Sequence, residues 1–102
     1  MKIYISGRIT GNKNWKKQFQ QAEDFLLKLG FEKNEICNPL KLSAALGETS
    51  YINYMRNDIK HLINCSDIYM LRGWRRSKGA RMERHIAKVL GLGIVYQKRG
   101  DK

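Results

Sequence analysis

Hydrophobic residues follow two spacings in turn along this chain, and the two spacings predict strands and helices in alternation. Short β-rich runs lie within residues 2–6, 31–37, 67–71 and 93–96, and each predicts a strand. Between these runs, apolar residues recur every three or four positions, as in amphipathic helices. The three helical stripes are Trp15, Phe19, Ala22, Leu26 and Leu29; Ile52, Met55, Ile59, Leu62 and Ile63; and Met82, Ile86, Val89 and Leu90.

This β-α alternation predicts an α/β fold, a small Rossmann- or flavodoxin-like three-layer sandwich with a parallel sheet. We expect four or five strands in the order 2-1-3-4, within a single domain at residues 1–97 and a polar tail at residues 98–102. Ligands bind such sheets outside the carboxyl ends of the strands. The loops at 7–12, 38–39 and 72–78 leave those ends, so they predict the site.

Four polar residues stand near that predicted site. Glu83 and Asp58 each border the apolar stripe of a helix, Tyr4 lies in the first strand, and Ser77 precedes the Glu83 helix. Each has a purely structural alternative. Glu83 suits the first turn of a helix, Asp58 suits a helix surface, Tyr4 suits a strand, and Ser77 suits an N-cap.

The net charge of +11 is the unusual feature of the composition, and it favours anionic partners. The basic residues are spread over the whole chain, whereas a dedicated nucleic-acid surface clusters them on one element. This dispersal disfavours a dedicated nucleic-acid surface, but the charge alone does not choose among nucleotides, nucleic acid and a membrane surface. No apolar run approaches the roughly 20 residues of a membrane span, so we expect no membrane partner.

The cysteines and histidines indicate neither a disulfide framework nor a metal centre. Cys37 and Cys65 are far apart in the sequence, and we interpret them as reduced thiols of a cytoplasmic protein. His61 and His85 lack Cys or carboxylate neighbours at ligand spacing. No metal and no cofactor are therefore expected.

Several segments resemble the nucleoside 2-deoxyribosyltransferase-like superfamily, in particular its short members and the 2′-deoxynucleoside 5′-monophosphate N-glycosidases. The resemblance covers residues 2–96. It rests on Lys-Ile-Tyr-Ile-Ser-Gly at 2–7 with Ile-Thr-Gly at 9–11, on Asn-Pro at 38–39, on Met-Arg-Asn-Asp at 55–58, on Asn-Cys-Ser-Asp-Ile-Tyr at 64–69, on Gly-Trp at 73–74, and on Ser-Lys-Gly-Ala at 77–80 with Glu83. Arg8 and Arg72 stand where many relatives have proline.

The resemblance implies roles for individual residues. Glu83 matches the nucleophile that attacks the anomeric carbon, Asp58 the acidic residue near the leaving base, and Tyr4 the tyrosine that positions the nucleophile. Ser77 matches a serine that nucleotide hydrolases carry where nucleoside enzymes have a carboxylate. The expected substrate-binding residues are Gly7, Arg8, Ile9, Thr10, Gly11, Asn38, Gly73, Trp74, Ser77 and Gly79.

The function that the resemblance implies is cleavage or transfer at the N-glycosidic bond of a (deoxy)nucleoside or its 5′-monophosphate, through a covalent glycosyl-Glu83 intermediate. The alternatives are a non-catalytic module that binds nucleotide-like ligands and a small basic nucleic-acid-binding protein. A homodimer or higher homo-oligomer is also expected. Relatives complete their pockets across subunits, and the helix at residues 51–63 carries exposed aromatic residues. The base, the 5′-phosphate and the acceptor stay open.

Overall fold

Four parallel strands form one sheet, and four helices flank it in the computed structural model, which describes residues 1–99 apart from the side chain of Ala45. The strands are β1 (Ile3–Ser6), β2 (Ile36–Cys37), β3 (Asp67–Met70) and β4 (Gly93–Tyr96). The helices are α1 (Trp15–Leu29), α2 (Pro39–Leu42), α3 (Tyr51–Leu62) and α4 (Lys78–Val89). The strand order β2-β1-β3-β4 confirms the predicted Rossmann-like topology. Residues 100–102 of the predicted tail lie outside the described residues.

The strand β1 is buried on both faces because helices cover both sides of the sheet, and its side chains point to the two faces alternately. Ile3 and Ile5 pack with α1 on one face. Tyr4 packs on the other face with residues of α3 and α4. Since Ser6 follows Tyr4 by two positions, both of these polar side chains point toward α4. One face of this hydrophobic strand therefore carries two hydroxyl groups.

Serine caps begin the two helices on that face. The Ser50 hydroxyl accepts a hydrogen bond from the backbone N–H of Asn53 in the first turn of α3, at 3.2 Å. The Ser77 hydroxyl accepts one from the backbone N–H of Ala80 in the first turn of α4, at 3.1 Å. After α4 the chain turns at Gly91, whose φ of 76° suits glycine. None of the helices in residues 1–99 combines the length and the apolar content of a membrane span.

The second strand lies within the run at residues 31–37, as predicted, and occupies only its end. Only Ile36 and Cys37 pair with β1, and a 3₁₀ turn occupies Lys33–Glu35. The side chains of Glu32 and Glu35 each accept a hydrogen bond from the other residue's backbone N–H. These local bonds satisfy the backbone without a neighbouring strand, so the edge strand begins late.

The buried faces of α3 and α4 are rotated about the helix axes relative to the predicted apolar stripes. Ile52 on α3 and Ile63 just after it are 60% and 50% exposed, whereas Asp58 and Leu62 are buried. On α4, most of the predicted stripe is exposed, and the buried residues are Ala80, Glu83 and Ala87. Small side chains at Ala80 and Ala87 let α4 approach the sheet closely, with Glu83 between them. Glu83 therefore lies at the centre of the buried face of α4, not at its edge.

Candidate active site

Two hydroxyl groups of β1 hold the carboxylate of Glu83. The Tyr4 hydroxyl donates to Oε2 at 2.6 Å, and the Ser6 hydroxyl donates to Oε1 at 2.8 Å. Glu83 is 5% exposed, so water contributes little to its solvation. The two donors occupy one lone pair on each oxygen and leave the others free. The carboxylate is therefore fixed in position and still able to react.

The ionisation of Glu83 reflects opposing influences. Its pKa is raised from 4.5 to about 7: burial is the largest cause, the hydrogen bonds from Tyr4 and Ser6 act to lower the pKa, and the charge of Asp58 raises it. The pKa of Tyr4 is raised well above 10.0, first by burial and then by the charge of Glu83. The phenol consequently stays protonated at neutral pH and acts as a hydrogen-bond donor.

Asp58 is the second buried carboxyl group of this region. It lies on α3, it is 5% exposed, and its Oδ1 atom has no hydrogen-bond partner among the described residues. Burial raises its pKa from 3.8 to about 7. A buried oxygen without a partner is costly. The site thus has an unsatisfied carboxyl group available to a bound ligand.

A pocket of about 570 Å³ brings Glu83 and Asp58 together, and we call it the carboxylate lobe. Its lining is Gly7, Ile9, Thr10, Tyr51, Met55, Asp58, Arg76, Ser77, Lys78, Gly79, Ala80 and Glu83. A neighbouring cavity of about 390 Å³, the aromatic lobe, shares five of these residues with it. The aromatic lobe adds Trp15, Ser43 and Tyr54. Asp58 lines both lobes and so stands at their junction.

Glycine at position 79 lets the two helices meet beside the pocket. A Cβ atom there would stand 3.1 Å from the Tyr51 hydroxyl and 3.2 Å from the Met55 sulfur. Ser77 lines the pocket and also caps α4. Both interpretations of this serine therefore apply: it is an N-cap and it lies in the site. Gly7, Ile9 and Thr10 reach the pocket from the end of β1.

Five of the predicted substrate-binding residues do not line the carboxylate lobe. Asn38 is buried elsewhere, where its side chain accepts from Leu40 N to begin α2 and donates to the backbone carbonyl of Phe19. Its role in the structure is to join α2 to α1. Asn38 was predicted as a site residue because it follows the carboxyl end of a parallel strand. In the structure it instead caps α2, which begins directly after β2.

The other four residues form two separate groups. Arg8 and Gly11 lie together: a Cβ atom at Gly11 would stand 2.9 Å from Arg8 Nη2. The φ of Gly11 is 78°, a backbone conformation that favours glycine, so its own turn accounts for this residue. Gly73 and Trp74 line a different depression beside β4. The loop at 72–78 thus divides between two sites, and only its end reaches Glu83.

Sequence reasoning missed Ser6, Tyr51 and Met55 as residues of the chain's own site. Ser6 was detectable, since it follows Tyr4 by two positions and strand side chains on one face repeat at that interval. Tyr51 and Met55 line this chain's own pocket because they lie beside Gly79 in the first turn of α4. That proximity depends on tertiary packing, which helical spacing does not report.

The two thiols, which are distant in sequence, are neighbours in the fold. Cys65 Sγ lies 3.4 Å from Cys37 Sγ. Their shared hydrogen bond lowers the pKa of Cys37 to about 7 and raises that of Cys65. Within residues 1–99, no group of three His, Cys, Asp or Glu residues is placed to hold a metal ion.

The fold and the site define a small Rossmann-like α/β protein with two buried carboxyl groups in one pocket. The chain belongs to the DUF4406 family, a domain of unknown function that matches residues 1–96. No curated protein and no solved structure matches the chain. The family assignment names no activity, so the resemblance to nucleoside 2-deoxyribosyltransferases stays a prediction, and any functional proposal rests on the site.

Proposed function

We propose that this protein cleaves or transfers the N-glycosidic bond of a deoxynucleoside or its 5′-monophosphate through a covalent glycosyl-Glu83 intermediate. One observation carries the proposal. Glu83 is held by two hydroxyl donors in the same pocket where Asp58 presents an oxygen without a partner. Glycosidic chemistry commonly uses two carboxyl groups in different protonation states, one as nucleophile and one as acid.

The hydrogen bonds decide which group carries the negative charge. Glu83 receives a donor on each oxygen, which stabilises its ionised form. Asp58 Oδ1 receives none, so the proton of the pair resides on Asp58. Two neighbouring carboxyl groups with pKa values of about 7 favour a state in which one is ionised and the other is protonated. That state suits a nucleophile and a general acid at neutral pH.

The reaction follows from this arrangement. An oxygen of Glu83 attacks the anomeric carbon, a C–O bond forms, and the C–N bond to the base breaks as Asp58 transfers its proton to the departing base. A water molecule then attacks the same carbon, and Asp58 takes up the proton of that water. The C–O bond between this carbon and Glu83 breaks, the sugar leaves with the hydroxyl group, and the Glu83 carboxylate is regenerated. When a second base attacks in place of water, the outcome is transfer.

The two lobes suit the two halves of a nucleoside. Trp15, Tyr51 and Tyr54 line the aromatic lobe and offer flat apolar surfaces to a base. Glu83 lines only the carboxylate lobe, where the sugar would lie. Asp58, at the junction, would then stand where the bond between sugar and base breaks.

Positive charge at the rim of the carboxylate lobe favours an anionic substrate. Arg76 and Lys78 line this lobe, and the backbone N–H groups at the start of α4 lie beside it. No carboxylate of residues 1–99 forms an ion pair with either side chain. A 5′-monophosphate on the substrate would supply the missing counter-charge, and the hydroxyl of Ser77 would not repel it.

Homodimerisation is part of the proposal. Exposed apolar residues lie along both helices of the site face: Ile52 on α3 and Ile63 just after it, and Met82 and Val89 on α4, between 41% and 70% exposed. Exposed apolar side chains of this kind mark protein contacts. Pairing two copies of the chain through these helices around a two-fold axis would cover them.

The direct test incubates purified protein with a panel of deoxynucleosides and their 5′-monophosphates and separates the free bases by chromatography. We expect base release from at least one monophosphate, loss of release in Glu83→Gln, and normal release in the matched control Glu48→Gln, whose carboxylate is exposed. If wild type releases no base while Glu83→Gln and wild type bind a nucleotide equally, the protein is a binding module and the catalytic proposal is wrong.

A further inference from the structure

A second basic site lies beside β4, outside the carboxylate lobe. It is a depression of about 480 Å³ whose lining includes Arg72, Trp74, Arg75, Arg76 and Tyr96. Arg84, from the second turn of α4, contacts both aromatic rings. We call these four arginines and two aromatic residues the arginine–aromatic patch. Three of the arginines come from one loop and the fourth from a helix, so the fold concentrates charge that looks dispersed in the sequence.

The aromatic rings hold two of the guanidinium groups in place. Arg75 and Arg84 lie over the Trp74 ring, at 5.1 and 5.0 Å from its centroid, and Arg84 lies 5.8 Å from the centroid of Tyr96. Arg84 Nε also donates to the Tyr96 hydroxyl at 2.7 Å. A stacked guanidinium uses its face and keeps its remaining N–H edge for a ligand. These groups are thus preorganised for a planar or tetrahedral anion.

The loop that carries the patch is anchored on both sides. The Gln18 side chain donates to the Arg72 carbonyl at 3.1 Å, and the Arg72 backbone N–H donates to the Gln97 side chain at 2.9 Å. A 3₁₀ turn then spans Trp74–Arg76. Because its backbone is fixed in this way, the loop need not be ordered when a ligand binds, which lowers the entropic cost of binding.

Within residues 1–99, the charges of the patch lack counter-ions. No Asp or Glu of residues 1–99 forms an ion pair with any of its four arginines. Four guanidinium groups around two aromatic rings favour a ligand that carries several phosphates and exposed rings. Single-stranded nucleic acid has both, and its bases are free to stack on rings or guanidinium planes, whereas a duplex hides its base faces.

We propose that the arginine–aromatic patch binds single-stranded nucleic acid, with phosphates on Arg72, Arg75, Arg76 and Arg84 and a base against the aromatic pair. The membrane alternative is disfavoured, because the patch carries no protruding aliphatic side chains to insert among lipids. The proposal does not depend on the chemistry at Glu83. Arg76 lines both this patch and the carboxylate lobe, so the two sites adjoin.

The experiment titrates the whole protein into a fluorescein-labelled single-stranded DNA 12-mer and follows anisotropy between 50 and 200 mM NaCl. Four phosphate contacts predict a slope of log K against log salt of about −2.8, which is a loss of affinity of about 50-fold over that range. In Arg75→Ala/Arg84→Ala we expect binding roughly tenfold weaker at 50 mM salt and a slope reduced to about −1.4.

A matched control removes the same charge elsewhere. Arg56→Ala/Lys60→Ala takes two exposed cations from α3, and we expect its affinity to stay within about twofold of wild type. Circular dichroism of each variant verifies that it is folded. If the control weakens binding as much as the patch variant, the effect is one of net charge and the proposed site is wrong.

Three further outcomes would also overturn the proposal. These are equal competition by inorganic phosphate at the same phosphate concentration, preference for duplex over single-stranded DNA, or patch-dependent binding only to phosphatidylserine vesicles. Glu83→Gln should bind the 12-mer as wild type does. That arm separates the two proposals, since failure to release bases leaves oligonucleotide binding unaffected and the reverse is also true.

Discussion

Replacing Glu83 with Gln should stabilise this protein, and increasingly so as pH rises. The substitution removes the charge but keeps the shape. The new amide accepts from one hydroxyl through its oxygen and donates to the other through its nitrogen, so the contacts with Tyr4 and Ser6 are retained. What disappears is the cost of ionising a carboxyl group that is 5% exposed.

The magnitude follows from linkage between ionisation and folding. The pKa of Glu83 is raised from 4.5 to about 7 in the folded protein. A raised folded pKa gives stability that is fully present below the unfolded pKa and is lost as pH rises through the folded pKa. At about 1.4 kcal/mol for each tenfold change in the ionisation constant, the loss between pH 4.5 and pH 8 is about 3 kcal/mol. Asp58, whose pKa is also raised, makes the free energy of unfolding depend on pH in the same direction. It is present in both wild type and Glu83→Gln, so its contribution largely cancels in the difference between them.

The assay is urea unfolding followed by tryptophan fluorescence at pH 4.5, 6, 7 and 8 for wild type, Glu83→Gln and Glu48→Gln. The free energy of unfolding of Glu83→Gln, relative to wild type, should increase by about 3 kcal/mol over this range. The exposed Glu48 should show almost no such trend. A difference that stays constant or shrinks with rising pH would refute the view that Glu83 is a buried carboxyl group with a raised pKa.

Three further predictions concern other parts of the molecule. Tyr4→Phe removes a donor to the ionised form of Glu83, so the acid limb of the pH–rate profile for base release should move upward by about one pH unit or more; an unchanged or lower limb would contradict the assigned donor. Hydrogen peroxide should oxidise Cys37 to a sulfenic acid that Cys65 attacks with loss of water, because the sulfurs lie 3.4 Å apart. Mass spectrometry should show the loss of two hydrogens from the intact chain and none in Cys37→Ser, and free thiols that persist in wild type would exclude the reaction. Light scattering at moderate salt should give about twice the 11.9 kDa chain mass for wild type and the single mass for Ile63→Glu; a monomeric wild type would end the dimer proposal.

Much of the fold was predictable because its signals are local. The run at residues 93–96 matches β4 as predicted, and the stripe from Trp15 to Leu29 matches α1. Alternating strands and helices with right-handed crossovers leave few topologies, and the order 2-1-3-4 is one of them. The same reasoning placed the loop after β1 and the start of α4 at one edge of the sheet. Glu83 and Asp58 could be singled out because charged residues beside apolar stripes are conspicuous.

What the sequence by itself determined, then, is the sequence of elements and the end of the sheet where the carboxyl groups meet. Helical spacing gives the angles between residues of one helix, but not the rotation of that helix against the sheet. For this reason only the tertiary structure decided that Glu83 lies between Ala80 and Ala87 on the buried face of α4. The contact of Cys37 with Cys65 and the gathering of four arginines around Trp74 and Tyr96 likewise join residues from different elements. Such contacts depend on how packed elements fit together in space, and no local pattern encodes that fit.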